Sequence, residues 1–207
     1  MAEMNRRGMN RRIEAFFDGL APTWDEEVAS RFAERLDALV DTLGIRSGQT
    51  ILDVGAGTGI LAGALAGRVA PDGRVLAVDL SRAMLRDGKT RRPGPRIAWI
   101  QADVLDAPFA RGAFDWVICY SVFPHFLDQQ HAVTELAGLL KPGGSLAVLH
   151  TQSREAINAH HEKVGGIVGG HTLPDDSGMA RLFHNAGLQL LRLENSDTGY
   201  LILGTQY

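Results

Sequence analysis

The sequence has only one cysteine, and it has neither a long apolar run nor an excess of positive charge. With Cys119 alone the chain cannot form an intramolecular disulfide, which favours a reducing compartment. No apolar run is long enough to cross a bilayer, and the basic stretch 1–12 lacks the apolar segment of a secretion signal. We therefore expect a cytoplasmic protein that does not associate with a membrane.

The charge balance and the length exclude further classes of partner. The 207 residues carry a formal net charge of -3, which provides no basic surface for nucleic acid. The sequence also lacks the Asn/Asp-Pro-Pro-Tyr signature of base-modifying enzymes and has little room for an added recognition domain. Its 45% hydrophobic and 22% charged residues are typical of one globular domain. A small-molecule partner is expected, bound by a monomer or a homodimer.

Strand-like apolar runs alternate with helical stretches along most of the chain. Five runs predict strands near residues 49–54, 74–79, 97–102, 115–120 and 145–150. Helices are expected near 58–69, 81–91, 128–140, 153–164 and 176–186. Nearly continuous apolar strands are covered on both faces, and strand–helix alternation favours a parallel sheet. Two runs after the last helix, "LQLLRLE" and "YLILGTQ", predict an antiparallel pair at one edge.

The first 44 residues are predicted to precede the sheet. Residues 1–12 indicate a mobile arm. From Asp25 to Leu43 the apolar residues recur at helical spacing, and Gly44 is expected to end that helix.

The stretch "ILDVGAGTGI", residues 51–60, combines a strand, a glycine-rich turn and the start of a helix. Such a turn binds an anionic or nucleotide ligand against backbone N–H groups at a helix N-terminus. It lacks the Gly-Lys-Ser/Thr ending of a Walker loop, and Ile60 stands where the dinucleotide pattern G-x-G-x-x-G has its last glycine. Asp53 precedes the turn, where its carboxylate would repel a pyrophosphate but suits an amino group. The expected ligand is a nucleoside that carries a cation.

Residues near the ends of the next strands fit the rest of such a nucleoside. Asp79 ends the second strand, where it can accept hydrogen bonds from a ribose diol. Met84 on the following helix can lie on an adenine face, and Asp103 can accept from the exocyclic amine of adenine. With an amino-acid end at Asp53, these features describe S-adenosylmethionine. The candidate cofactor-binding residues are Asp53, Gly55, Ala56, Gly57, Asp79, Leu80, Met84, Asp103, Val104 and Tyr120.

Five stretches of the sequence carry a resemblance to a known family. They are "LDVGAGTG" (52–59), "AVDLS" (77–81), "QADV" (101–104), "FDWVICYSV" (114–122) and "ELAGLLKPGGSLAV" (135–148). In this order and at this spacing they resemble the class I, Rossmann-like S-adenosylmethionine-dependent methyltransferases, particularly the small bacterial enzymes of the type 11 domain. One glycine motif would be a weak signal, whereas five in register over roughly residues 48–150 are a strong one.

The resemblance implies an α/β fold, a doubly wound, seven-stranded and mostly parallel sheet with its last strand antiparallel and helices on both faces. It implies one methyltransferase domain over residues 1–207. In this domain, 1–44 form an N-terminal arm and lid helices, 48–150 the cofactor-binding core, and 151–207 an acceptor-pocket segment and the terminal hairpin.

The segment 16–28, "FFDGLAPTWDEEV", also resembles the part of ubiquinone/menaquinone-type methyltransferases that closes the cofactor site. Phe16, Phe17 and Trp24 fit either that lid or ordinary packing between helices.

Two histidines are candidates for the site of methyl transfer. His125 follows the fourth predicted strand and His150 ends the fifth, so both imidazoles are expected at the sheet edge where this fold binds ligands. One of them would act as a general base if the acceptor loses a proton. The alternatives are a structural role or a metal site with His160 or His161, although these histidines lack a recognised ligand spacing. Arg154 is a candidate for an anionic group of the acceptor.

The leading hypothesis is methyl transfer from S-adenosylmethionine to a small molecule. An NAD-dependent oxidoreductase is an alternative that the shortened glycine pattern disfavours, and a non-catalytic protein that binds S-adenosylmethionine is another. The acceptor atom stays open among carbon, nitrogen, oxygen and sulfur, because fold does not fix function.

Overall fold

A seven-stranded sheet forms the centre of the computed structural model, which describes residues 2–207 except for the side chains of residues 2–5 and 28–31. The strands are β1 (Thr50–Val54), β2 (Arg74–Asp79), β3 (Ile97–Gln101), β4 (Phe114–Tyr120), β5 (Leu140–His150), β6 (Leu188–Ser196) and β7 (Gly199–Gln206). They lie in the order β3-β2-β1-β4-β5-β7-β6, and β7 runs antiparallel to both of its neighbours. The predicted fold class and the antiparallel terminal pair are confirmed.

Helices cover both faces of this sheet. They are α1 (Ala2–Trp24), α2 (Ser30–Asp41), α3 (Ile60–Arg68), α4 (Arg82–Arg91), α5 (Gln129–Gly138), α6 (Arg154–Val164) and α7 (Asp176–Asn185). The apolar residues of α2 and α3 pack on one face, and those of α5, α6 and α7 pack on the other. Because both faces are covered, β1, β4 and the end of β5 are buried along nearly their whole length. Within residues 2–207, every helix is too short or too polar to cross a membrane.

The N-terminal part differs from the sequence expectation. Residues 2–12, predicted as a mobile arm, belong to α1, and residue 1 lies outside the described residues. The helix is stabilised where it meets the domain: Ile13 is buried, and the Asn10 side-chain amide donates to Asp103 at 2.7 Å. Asp103 lies about ninety positions away, so the local sequence pattern of this stretch does not predict a docked helix.

The predicted helix from Asp25 to Leu43 is present in two pieces. A π-helical turn (Asp25–Ala29) leads into α2, which ends at Asp41. Gly44 follows with a φ of 72°, as expected for a residue that ends a helix.

Candidate functional site

A cavity of about 650 Å³ opens at the carboxyl ends of β1, β2 and β4, and α1 lies across it. The sheet order places β1 between β2 and β4, so the chain leaves β1 and β4 in opposite directions at this point. Open α/β sheets bind ligands at such a switch point. The volume is in the range of pockets that hold cofactors and small molecules.

Most of the predicted site residues line this cavity. Nine of the ten candidate cofactor-binding residues do so, and with them His125; the nine are Gly55, Ala56, Gly57, Asp79, Leu80, Met84, Asp103, Val104 and Tyr120. We call the part formed by these residues of β1, β2, β3 and their following turns the cofactor end. Asp53 and His150 are not among the lining residues.

The three glycines of the turn after β1 serve different purposes. All three have positive φ, but a Cβ on Gly55 would lie 2.2 Å from Val122, and one on Gly59 would lie 2.2 Å from Trp99. A Cβ on Gly57 would meet, among the described residues, only the Trp24 indole nitrogen at 3.9 Å. Gly55 and Gly59 are therefore required by packing, whereas Gly57 leaves its face open to a ligand.

Asp79 is the carboxylate at the centre of the cofactor end. Its two oxygens accept hydrogen bonds from the backbone N–H groups of Gly57 and Ser81, each at 2.7 Å. Each oxygen keeps a further lone pair for a ligand hydroxyl. Burial raises the pKa of Asp79 to about 6, and the two backbone N–H groups oppose that rise. At neutral pH the group is therefore an ionised acceptor, as a ribose diol requires.

Asp53 is not among the residues that line the cavity, and the contact predicted for it with the amino group of the cofactor stays a prediction. Strand side chains alternate between the two faces of the sheet, and Val54 lines the cavity while Asp53 lies on the face that α3 covers. Asp53 is 1% exposed, and neither carboxylate oxygen has a hydrogen-bond partner among the described residues. Burial, with the nearby Asp79, raises the pKa of Asp53 to about 8. Asp53 is thus a buried carboxyl group behind the glycine turn.

Asp103, predicted to bind adenine, is already held by α1. Arg6 Nη1 and Asn10 Nδ2 donate to the same Asp103 oxygen at 3.2 Å and 2.7 Å. The other oxygen accepts from the Leu105 backbone N–H at 3.0 Å. The N-terminal helix therefore contacts the cofactor end through one of its candidate binding residues.

Two further carboxylates attach α1 and the π-helical turn to the cofactor end. Asp18 accepts from the Ser81 hydroxyl and from the Ala83 backbone N–H, at the start of α4. Asp25 accepts from the hydroxyl of Thr58 in the glycine turn and from Arg92, the latter at 2.8 Å. The helix is therefore fixed above the cavity at its C-terminal half as well.

The aromatic residues of α1 were expected either to cover the cofactor site or to pack between helices, and both arrangements occur. Phe17 and Trp24 line the cavity, and their rings meet edge to face at 5.9 Å. Phe16 is not among the lining residues and packs edge to face on Phe17 at 5.2 Å. Phe17 and Trp24 thus cover the ligand space, whereas Phe16 supports them.

His125 lines the cavity beside Phe17, and we call the part around these two residues the acceptor end. Its ring centroid is 5.3 Å from that of Phe17, and its Nδ1 is 2.9 Å from Nδ1 of His171. Burial, together with the neighbouring His161, His171 and His150, lowers the pKa of His125 to about 3. The imidazole is therefore neutral across the physiological range.

His150 lies outside the cavity, contrary to the expectation that it flanks the transferred methyl group. It is 3% exposed, stands opposite Tyr200 in the β5–β7 ladder, and its Nε2 has no hydrogen-bond partner among the described residues. Its side chain lies on the face of the sheet that α6 and α7 cover, as does that of Val148 two residues earlier on β5. Burial, with the nearby His161, lowers the pKa of His150 to about 3. Both histidines follow strand ends, but only His125 sits on a turn (Phe123–His125) that brings its ring to the opening.

The segment 151–207, predicted to form the acceptor pocket, supplies none of the lining residues found within 2–207. Arg154 pairs with Glu155 and Asp176, away from the cavity, and His160 is exposed. The segment acts one layer further out, through His161 and His171. No three histidine, cysteine or acidic side chains of the described chain are grouped so as to hold a metal ion.

Sequence reasoning missed His171, Arg6 and Asn10. Each reaches the site from a distant part of the chain: His171 is 46 residues after His125, and Asn10 is 93 residues before Asp103. The basic residues of α1 were the only available signal, because Asp103 and Asp106 offered acidic partners for them.

Comparisons with known proteins agree with the geometry. Residues 52–148 match the family model described as "Methyltransferase domain". An uncharacterized methyltransferase of Mycobacterium tuberculosis is 39% identical over 113 residues, which cover 55% of this chain and 56% of that protein. The chain therefore matches little more than half the length of that relative.

Two other similar proteins extend the match. A 2-phytyl-1,4-naphtoquinone methyltransferase of Nostoc punctiforme is 33% identical over 164 residues, covering 74% of this chain and 71% of that one. The crystal structure of a SAM-dependent methyltransferase from Aquifex aeolicus superposes with a TM-score of 0.70 at 17% identity, covering 94% of this chain and 98% of that chain. The open face of Gly57 and the accepting oxygens of Asp79 fit the ribose of an adenine nucleoside, and the match to the methyltransferase family identifies that nucleoside as S-adenosylmethionine. The chain belongs to the class I S-adenosylmethionine-dependent methyltransferases.

Proposed function

We propose that the chain methylates a small aromatic acceptor that carries an acidic hydroxyl group, of the hydroquinone class. The observation that carries this proposal is that one cavity contains both the cofactor end and an aromatic, imidazole-bearing acceptor end. A methyl donor held at Asp79 and an acceptor held at His125 would share that space.

The composition of the acceptor end favours a flat apolar molecule. Phe17 packs edge to face on both His125 and Trp24, and Phe126, the residue after His125, also lines the cavity. Aromatic side chains bind flat rings edge to face or offset-stacked, with about 0.5–1.5 kcal/mol per pair beyond the area that is buried. His125 is the neutral polar group among them, and it suits one hydroxyl group of such a ring.

The similar protein of Nostoc punctiforme supports the same class of acceptor. It is named for 2-phytyl-1,4-naphtoquinone, and it is 33% identical to this chain over 164 residues. A hydroquinone is the reduced form of such a ring, and it has the hydroxyl groups that make the ring nucleophilic. The similarity concerns the matched residues as a whole, and we extend it to the acceptor as part of this proposal.

The residues of the cavity have distinct parts in this reaction. When bound, S-adenosylmethionine supplies an electrophilic methyl group on a sulfonium that leaves as a neutral thioether. Asp79 holds the ribose hydroxyls, and Gly57 gives the backbone a close approach. His125 accepts the hydrogen bond of the acceptor hydroxyl, and α1 excludes water from above. Holding both partners in line supplies much of the rate enhancement.

The proposal is tested by incubating the full chain with S-adenosylmethionine and 1,4-naphthohydroquinone under anaerobic conditions. Mass spectrometry should detect S-adenosylhomocysteine and a monomethylated product in equal amounts. The matched control is 1,4-dimethoxynaphthalene, in which both hydroxyl groups are blocked, and it should not react. Equal turnover of the two compounds would contradict the role of the hydroxyl. Tight binding of S-adenosylmethionine with no turnover of any aromatic hydroxyl compound would favour the non-catalytic alternative.

A further inference from the structure

Four histidines from distant parts of the chain gather behind the acceptor end: His125, His150, His161 and His171. His125 is the one that lines the cavity, and His171, in the loop between α6 and α7, is half-buried. Their Nδ1 atoms are 2.9 Å apart, which is hydrogen-bond distance. The pair therefore connects the cavity with the outer side of the domain.

The loop that carries His171 is held in place on two sides. The His171 backbone N–H donates to the Val168 carbonyl at 2.9 Å. The His171 carbonyl lies 2.6 Å from Nδ1 of His161 on α6. A carbonyl can only accept, so His161 must carry its proton on Nδ1. The position of the His171 ring is thus supported by a second histidine whose tautomer is fixed.

A hydrogen bond between two Nδ1 atoms holds one proton, and its direction decides what His125 can do. If His171 donates, His125 carries its proton on Nε2 and presents a donor to the cavity. If His125 donates, its Nε2 is a bare acceptor that can receive a proton from a ligand. Because Nδ1 is occupied by His171, Nε2 is the nitrogen left for the cavity in either case.

We propose that His125 donates its Nδ1 proton to His171, and that the two imidazoles form an exit path for the proton that a hydroxylic acceptor loses during methyl transfer. His171 is then a positioning residue, which selects the accepting tautomer of His125 and receives the proton. This inference rests on the proposed function, since it assigns the acceptor hydroxyl to Nε2 of His125.

The surroundings of His125 explain why an exit path is needed. The titratable groups that face it are His161 on α6, His171 in the following loop and His150 at the end of β5, and α1 contributes the uncharged ring of Phe17. None of these groups is acidic, and burial lowers the pKa of His125. A proton that stayed on His125 would be a buried, uncompensated charge. Passing it outward avoids that cost.

The protons balance along the path. The O–H bond of the acceptor breaks, its electron pair stays on the acceptor, and an N–H bond forms at Nε2 of His125. At the same time the Nδ1–H bond of His125 breaks and an Nδ1–H bond of His171 forms. The Nε2 proton of His171 passes to solvent water. The pair returns to its first state by proton exchange with water when the cavity opens for product release.

The test reads the tautomer directly and does not need turnover. The full chain is labelled with ¹⁵N at the imidazole nitrogens, and long-range ¹H–¹⁵N spectra are recorded at pH 7.5 with and without S-adenosylhomocysteine. A His125→Gln variant assigns the signal of His125. Its Nδ1 should be protonated and its Nε2 unprotonated in the wild type. A protonated Nε2 in both spectra would overturn the proposal.

Two variants of His171 separate the hydrogen bond from mere packing. His171→Asn places an amide oxygen near the position of Nδ1 and should keep the tautomer of His125, whereas His171→Leu should lose it. His184→Leu, at an exposed histidine of α7, is the control and should leave the His125 signals unchanged. Unchanged His125 signals in His171→Leu, or equal changes in both His171 variants, would overturn the proposal. The assay with 1,4-naphthohydroquinone tests the proposed function separately, because the tautomer of His125 is read without turnover.

Discussion

The cofactor end and the acceptor end of the cavity are built in different ways. At the cofactor end, backbone N–H groups of the turns after β1 and β2 orient the binding groups, and the side chains come from residues 54–106. At the acceptor end, side chains from α1 and from the Phe123–His125 turn meet, and His171 of the loop after α6 holds His125 from behind. The difference implies that one end is a fixed binding frame, whereas the other can change its chemistry by a few substitutions.

The largest expected effect on cofactor binding is at the glycine turn. Gly57→Val places a branched side chain in the only open face of the turn, at a φ of 54° that β-branched residues rarely adopt. We expect S-adenosylhomocysteine affinity to fall by more than about 100-fold, as measured by calorimetry. The control is Gly67→Val, at an exposed glycine of α3 with no atom within 4 Å of a Cβ. Wild-type affinity of the Gly57 variant would show that the cofactor does not approach this turn.

Within the acceptor end, the two candidate histidines should separate. His125→Ala should lower the methyl-transfer rate by about 10²–10⁴-fold with cofactor affinity near the wild-type value, because it removes the group that faces the acceptor. His150→Ala should lower the melting temperature and leave the rate within about 3-fold, since its ring is buried outside the cavity. Rates and melting temperatures of both variants decide this point. A rate loss confined to the His150 variant would reverse the assignment.

The buried Asp53 gives a pH-dependent test of stability. Its folded-state pKa of about 8 lies above its ordinary value of 3.8. Between these values the unfolded chain releases the proton and the folded chain keeps it, so stability falls as the pH rises from about 4 to 8. The slope is up to about 1.4 kcal/mol per pH unit. Denaturant titrations should show that Asp53→Asn loses this slope and is the more stable variant at pH 8. If the free energy of unfolding of the wild type and of Asp53→Asn changed with pH in parallel, Asp53 would be in contact with solvent or a partner.

The smallest effect is expected where α1 meets the cofactor end. We propose that the Arg6 contact with Asp103 helps to keep α1 closed over bound cofactor. Because the pair is partly exposed, it contributes only about 0.2–1 kcal/mol. Arg6→Ala should speed S-adenosylhomocysteine dissociation about 2–5-fold in stopped-flow measurements, and Arg11→Ala, on an exposed part of the same helix, should not. If Arg6→Ala released S-adenosylhomocysteine at the wild-type rate, the Arg6 contact would have no part in holding α1 over the cofactor.

The sequence predicts the cofactor end better than the acceptor end. Gly57 and Asp79 could be placed because a strand, a glycine turn and a helix fix their backbone positions locally. For Asp53 the sequence shows only that it precedes the turn, whereas the two-residue alternation of strand side chains directs its carboxyl group toward α3. His171 has no local signal: its place beside His125 depends on the path of the loop between α6 and α7.

The contact on which the proposed function depends first is that of Asp79 with the ribose of S-adenosylmethionine. It is tested most directly by calorimetry with S-adenosylhomocysteine and its 2′-deoxy analogue, on the wild type and on Asp79→Ala. Asp79→Ala should cost about 1–3 kcal/mol of binding free energy. Removal of the 2′-hydroxyl should cost the wild type a similar amount and the variant much less, because the two losses remove the same hydrogen bond. Equal losses for the analogue in both proteins would show that Asp79 does not bind the ribose 2′-hydroxyl.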